Sequence, residues 1–460
     1  MKRLAVTGGL VVAENSAIRA DVFIENGKIS AVRPPSKHAP KADIVIDARG
    51  KTVIPGVIDA HVHFSLPAGD ITTSDDFSSG SHAAIAGGVT TVIDYTTQPP
   101  GIGLERAARA RLAKMRGKMR CDYSLHCIIP SWTKLKNPAR QMKTLCRMGI
   151  PSFKMFMIYG ERGMQSGDAD LHEAMLAAKA CGATLCLHAE SDGIIRHLSA
   201  KHAGEGMRGF VRSRPDFSEW EAVQRALVWA EAAGAKVYFV HLSAGRSARI
   251  ITAARAAGIH AMGETCPQYL ALDQSALLGK NGHFYATCPQ VKTKKDSALL
   301  WQALKEGAVS TIATDSCTFN SSQKNRWRGD FSRIPFGIPG VETSIPLIYT
   351  LGVLKNRISL LEMTRMLSLN PAKIMGLYPR KGAIRPGADA DLAILDTKNV
   401  KAVDHAAMQT NCDWNPYQGM KLKGWAETVI LRGEIAARNG APVSAAPEGV
   451  FLPRRPGAFI

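Results

Sequence analysis

Strand-like runs of six to eight residues, most of them rich in apolar side chains, recur along the middle of the chain, at 56–63, 90–95, 123–130, 152–159, 184–190, 236–243, 260–267 and 310–316. They are too short for globular helices and rich in β-branched and aromatic side chains, so they read as eight strands. Helical patterns sit between most of them. The clearest lie at 217–233, preceded by the N-cap candidate Asp216, and at 296–307. Eight β/α units within residues 53–382 predict an α/β fold, a (β/α)8 TIM barrel with insertions. A doubly wound open sheet is the alternative. No GxGxxG follows a strand, so nothing indicates a dinucleotide site.

The two ends of the chain have a different pattern. Short alternating segments at 21–25 and 28–32 flank Asn26-Gly27, a hairpin signal, and strand character returns at 391–396 and 428–432. The start, Met1 to Gly9, reads as a further strand rather than a signal peptide. One small β-sandwich built from both ends accounts for these segments; two unrelated β segments are the other possibility. The expected division is 1–52 and 383–440 for the sandwich, 53–382 for the barrel, and 441–460 for a tail that either clasps a second subunit or frays.

Composition changes this picture little. The 460 residues are 45% hydrophobic, enough for a large core, and no apolar run is long enough to span a bilayer. The nine cysteines form no CxxC pair, and several, such as Cys127, Cys181 and Cys186, fall inside predicted elements. That pattern suits free thiols in the cytoplasm better than a disulfide framework. The net charge of +19 is dispersed, for example over Arg106, Arg109, Arg111, Lys114, Arg116 and Lys118. Without aromatic-interleaved basic tracts, it reads as a solvated surface and not a nucleic-acid interface.

The ends of the predicted strands carry the chemistry. A barrel keeps its reactive groups at the C-terminal ends of its strands. The first strand ends Asp59-Ala60-His61-Val62-His63, and residues two apart in a strand project to one side, so His61 and His63 can share an ion. The fifth ends at His188, the sixth at His241 and the eighth at Asp315. Alone, each histidine reads as a satisfied core residue and the aspartate as a helix cap. Lys154 lies inside the apolar fourth strand, where a free ammonium is costly. It either reaches a barrel mouth or a carboxylate, or it is a neutral amine carboxylated by carbon dioxide, giving an anion that bridges two cations. Together the six residues supply ligands for two metal ions. His61, His63 and Asp315 would hold one, His188 and His241 the other, and Lys154 would bridge them.

These residues sit in recognisable motifs. They include Gly56-Val57-Ile58-Asp59-Ala60-His61-Val62-His63, Ser152-Phe153-Lys154-Met155-Phe156-Met157 and Gly263-Glu264-Thr265-Cys266-Pro267-Gln268-Tyr269-Leu270. Asn370-Pro371-Ala372-Lys373-Ile374, Gly376-Leu377-Tyr378-Pro379-Arg380-Lys381-Gly382 and Gly387-Ala388-Asp389-Ala390-Asp391 follow in order. Over roughly residues 4–440 the sequence resembles the dihydropyrimidinase/hydantoinase family of the amidohydrolase superfamily. The resemblance implies the same six metal ligands, N6-carboxylation of Lys154, two divalent ions (zinc first, with manganese, iron or cobalt as alternatives), and a homotetramer or homodimer. It also implies that Tyr159 binds substrate.

The presence of all six ligands disfavours the metal-free scaffold relatives. Tyr159 disfavours the allantoinases, and the absence of arginine in Phe64-Ser65-Leu66-Pro67 disfavours the dihydroorotases. Three positions depart from the family: Ser316 replaces a His or Gln, Cys288-Pro289-Gln290 a Ser-Pro-Pro segment, and Pro335-Phe336-Gly337 a Pro-Asn-Gly turn. The family recognises the ring amide at Cys288 and Phe336 mainly through backbone groups.

The implied reaction is hydrolytic opening of a dihydropyrimidine or 5-substituted hydantoin to an N-carbamoyl amino acid by a bimetal-bridged hydroxide. Asp315 would carry the proton and Tyr159 would steady the oxyanion. Loops near 64–74 and 157–167 would set specificity, with Phe64, Leu66, Phe156 and Met157 as candidate walls. The expected partner is the small cyclic amide alone, with neither nucleic acid nor membrane.

Overall fold

The computed structural model describes residues 3–36, 38, 41–97 and 101–460. Its centre is a parallel barrel of eight strands: β1 (Val57–Val62), β2 (Val89–Tyr95), β3 (Asp122–Ile128), β4 (Ser152–Phe156), β5 (Thr184–His188), β6 (Lys236–Leu242), β7 (Ala261–Thr265) and β8 (Val309–Ile312). They pair in sequence order, each strand beside the next along the chain. The ring closes between β1 and the segment after β8, where the His63 N–H donates to the Ser316 carbonyl at 2.9 Å. All eight expected strands form and the open-sheet alternative does not. Most end earlier than the apolar runs suggest. After β4, Tyr159 takes φ 72°, and after β8, Asp315 takes φ 49°; these left-handed conformations leave the ladder.

Helices wrap the outside, and their ends follow local chemistry. Phe77–Ala86 starts at Asp76, whose carboxylate accepts from the N–H groups of Ser78 and Ser79 at 2.8 Å. Phe217–Ala233 starts after Asp216 and ends at Gly234 in the left-handed region. The helix expected at 296–307 begins earlier, at Lys294, because Thr293 forms a capping box with Asp296.

Both chain ends build the second unit. The Asn26-Gly27 turn joins strands Ala17–Glu25 and Lys28–Arg33, with both turn residues at positive φ. The first strand, Arg3–Val12, is the hub; Met1 and Lys2 lie outside the described residues. Its first half pairs with Ile44–Asp47 and its second with Thr52–Pro55, the change falling at the register shift between Val6 and Gly9. Leu392–Asp396, Trp425–Leu431, Glu434–Arg438 and Ala441–Pro442 extend the far side. The nine strands are therefore one continuous hydrogen-bonded sheet around a shared core that includes Val6, Val22, Ile46, Leu392 and Ile430.

A buried ion cluster joins this sheet to the barrel. Lys381 lies 2.7, 3.1 and 2.5 Å from Asp122, Asp389 and Asp391. The C-terminal tail is packed and not frayed. Leu452 is buried against the N-terminal end of the barrel, and the Arg454 side chain reaches Ser124 and Ser152 hydroxyls and the Met375 carbonyl. No helix among the described residues is long and apolar enough to cross a membrane.

Candidate active site

At the opposite, C-terminal end of the barrel, the strand ends bring the predicted residues together. His61 and His63 project from the end of β1, and their Nε2 atoms lie 3.2 and 3.1 Å from Asp315 Oδ1. The His241 ring is 5.3 Å from that of His61 and 4.4 Å from that of His188. Lys154 comes up from β4, 2% exposed, with its amine over the rings of Tyr95 and Phe156. His241 and Asp315 both sit at positive φ, strain of the kind held where side-chain aim matters.

The electrostatics follow from burial. Desolvation holds His61, His188 and His241 below the ordinary imidazole range, so their rings are neutral and carry lone pairs. Burial likewise pushes the Lys154 amine down to about 8, opposed by Asp315. Asp315 is pushed up by burial, but His61 and His63 outweigh that and keep the carboxylate below its usual range.

A divalent metal ion fits these residues. His61 Nε2, His63 Nδ1 and His241 Nδ1 are buried without a hydrogen bond, and an orphaned buried ring nitrogen is costly unless something accepts its lone pair. One ligand atom each from His61, His241 and Asp315 lies within 4.8 Å of the others. Neutral imidazoles with one carboxylate are the donor set of zinc and neighbouring divalent ions.

Several groups here carried no sequence-based assignment. Glu264, at the end of β7, accepts from His61 Nδ1 at 2.7 Å, from Tyr238 Oη at 2.8 Å and from the His241 N–H at 3.0 Å. It thereby fixes the tautomer of His61. Glu190, buried and 2.8 Å from His188 Nε2, leaves only Nδ1 of that ring for an ion. Burial pushes Glu190 up, yet Arg214 and His188 override it and hold it at about 2. Tyr95 stacks on His63 at 4.9 Å. Glu264 stood inside a quoted motif; Arg214, in a loop far along the chain, gave no signal.

The pocket candidates separate into two groups. Tyr159, Cys288 and Phe336 cluster with Ile158 and Ile195 beside the histidines, and the Tyr159 ring meets His188 edge-on at 5.3 Å. Cys288 Sγ is 3.0 Å from Arg214 Nη1 and 3.2 Å from Glu190 Oε2. Phe156 joins Tyr95 and Ile128 next to this cluster. Phe64 is elsewhere: it is 1% exposed, and its ring fills the space left by the missing side chain of Gly80 on the first outer helix. Leu66 is half-buried on the loop after β1, where its N–H donates to Thr73. Met157 is buried in the main core, and Ser316 is buried with its hydroxyl accepting from the Gly340 N–H.

The barrel gathers the strand-end histidines, the buried lysine and the rim aspartate at one mouth. The amidohydrolase family model matches residues 52–436, and the chain belongs to that family. It is 36% identical to the D-hydantoinase of Geobacillus stearothermophilus over 457 residues, covering 98% of this chain and 96% of that one. It is 35% identical to the D-hydantoinase of Streptomyces coelicolor over 463 residues, covering 98% of each. Its fold matches the crystal structure of dihydropyrimidinase from Brevibacillus agri with a TM-score of 0.94 at 33% identity, covering 99% of both chains.

Proposed function

We propose that this protein opens a cyclic amide, a dihydropyrimidine or a 5-substituted hydantoin, by hydrolysis to an N-carbamoyl amino acid. The observation that carries this is the convergence of His61, His63, Lys154, His188, His241 and Asp315 on one mouth beside Tyr159. Full-length similarity to hydantoinases supports it.

His61, His63 and Asp315 would hold one divalent ion, His188 and His241 a second, with Lys154, carboxylated on its amine, between them. Such ions lower the pKa of the attacking water and polarise the ring carbonyl. The remaining work falls to side chains. Asp315, whose carboxylate the His63 ring faces at 3.1 Å, takes the proton released by the water and returns it to the departing ring nitrogen. Without that proton the leaving group would be an amide anion. The Tyr159 hydroxyl donates to the oxygen on which charge develops. Glu264 and Glu190 keep His61 and His188 in the tautomers that aim their free nitrogens at the site. Backbone groups at Cys288 and Phe336 hold the ring amide.

Zinc is the preferred ion, the protein is placed in the cytoplasm, and its assembly is a homotetramer or homodimer, which light scattering measures directly. A kinetic comparison of dihydrouracil, hydantoin, 5-phenylhydantoin and allantoin tests the reaction. The first three should include a ring opened at least about tenfold better than allantoin, the scale on which a pocket discriminates near-isosteres. Opening of allantoin alone, or of none, contradicts it.

A further inference from the structure

Above the pocket stands an arginine that the reaction does not use. After β4 the chain makes a tight turn, Gly160–Arg162, flanked by Tyr159 and Gly163 at positive φ. The turn is fixed from both sides: the Gly160 N–H donates to Asp192 at 2.9 Å, and the Met164 N–H returns to the Tyr159 carbonyl at 3.1 Å. It presents the Arg162 guanidinium 5.0 Å from the Tyr159 ring and 5.9 Å from the Phe336 ring. Both rings pack in one cluster with the buried Cys288, and Arg162 is exposed.

Three other arginines are paired with carboxylates. Arg214 pairs with Glu190 at 3.3 Å, Arg326 with Asp70 at 2.6 Å and Arg212 with Glu205 at 3.0 Å. Among the described residues no carboxylate stands within 4 Å of Arg162; its contacts are the two ring faces. An aromatic cradle orients a guanidinium while leaving its in-plane N–H fork free, and that fork matches a carboxylate in geometry and charge.

We infer that Arg162 is a specificity-determining residue that binds a carboxylate carried on the substituent of the ring, so that the preferred substrates are 5-(carboxyalkyl) cyclic amides and the products N-carbamoyl amino dicarboxylic acids. This rests on the hydrolase reading above and narrows its substrate class. Water adds across the ring amide as for any such substrate: the C–N bond breaks, a C–O bond forms, and the proton goes to nitrogen. The substituent carboxylate takes no part in the bond changes. A ring held between Tyr159 and Phe336 with its amide toward the histidines points its substituent outward, where the fork waits.

The test compares the metal-loaded full chain on 5-(2-carboxyethyl)hydantoin, 5-propylhydantoin and 5-(3-aminopropyl)hydantoin. The native protein should favour the carboxylate over the propyl substrate by about tenfold or more in kcat/KM, through KM. Arg162→Gln should erase that preference, and Arg162→Glu should shift it to the amine. Native protein that opens these rings without regard to charge, or an Arg162→Gln variant that keeps the preference, overturns the inference and leaves the hydrolase reading standing. Metal-loaded native protein that opens none of the three overturns both.

Discussion

His61 Nδ1 lies 2.7 Å from Glu264 Oε1, and both side chains are wholly buried. A carboxylate in this position makes Nδ1 the protonated nitrogen and turns the Nε2 lone pair toward Asp315. Replacing Glu264 by leucine removes the acceptor and leaves the ring free to take the wrong tautomer. We expect Glu264→Leu to weaken metal retention by roughly 10–100-fold, with Glu264→Gln intermediate because its amide oxygen can still accept. Metal content after graded dialysis measures this; equal retention in all three proteins contradicts it.

We expect Lys154 to carry a carboxyl group on its amine. With burial pushing its amine to about 8, a neutral nucleophilic fraction exists near physiological pH. Protein prepared with 13C-labelled bicarbonate should show a carbamate resonance that Lys154→Met lacks, and that variant should lose the second metal ion and most turnover. A native protein with no carbamate signal would leave Lys154 without the bridging role.

Tyr159 is expected to act on the developing oxyanion and not on ground-state binding. Tyr159→Phe should lower kcat by about 10²–10³-fold with a much smaller change in KM. A change confined to KM would assign the hydroxyl to binding alone.

Lys324 gives a pH prediction independent of the metal ligands. Its amine is fully buried and donates to the carbonyls of Ala286 at 3.3 Å and Pro335 at 2.8 Å, so it braces the two segments that lead to Cys288 and Phe336. Burial lowers it from the ordinary 10.5 to about 7. Between these values the unfolded chain binds more protons than the folded one, so this group makes stability rise with pH across that window. Below about 7 both states are protonated and the full penalty applies. The stability of native protein relative to Lys324→Met should therefore increase from pH 7 to pH 10, by at most about 5 kcal/mol. Guanidinium unfolding across that range reads the difference; a flat or falling difference contradicts it.

How much of this was legible in the sequence depended on whether a residue's role was local. The strand pattern gave the barrel because apolar runs and caps act over a few residues. The metal candidates were legible because each closes an apolar strand, and a barrel collects such ends at one rim. Strand lengths were overestimated where Tyr159 and Asp315 turn left-handed, since their side chains do not announce a positive φ. Phe64 was expected at the mouth but packs over Gly80, a fit visible only once the helix lies against the barrel. Among the partners of the site histidines, Glu264 and Arg214 come from distant segments and have meaning only through contacts, whereas Glu190 follows His188 by two residues. The tail at 441–460 read as a subunit clasp or a frayed end, yet Arg454 is buried among hydroxyls and carbonyls of its own chain at the other end of the barrel.

Metal stoichiometry followed together with turnover tests the central claim most directly. Protein stripped with a chelator, then titrated with zinc while ring opening of a substituted hydantoin is recorded, should be inactive when empty and reach full rate at two ions per chain. Full turnover by the stripped protein, or a chain that retains no ion at any concentration, would contradict the account.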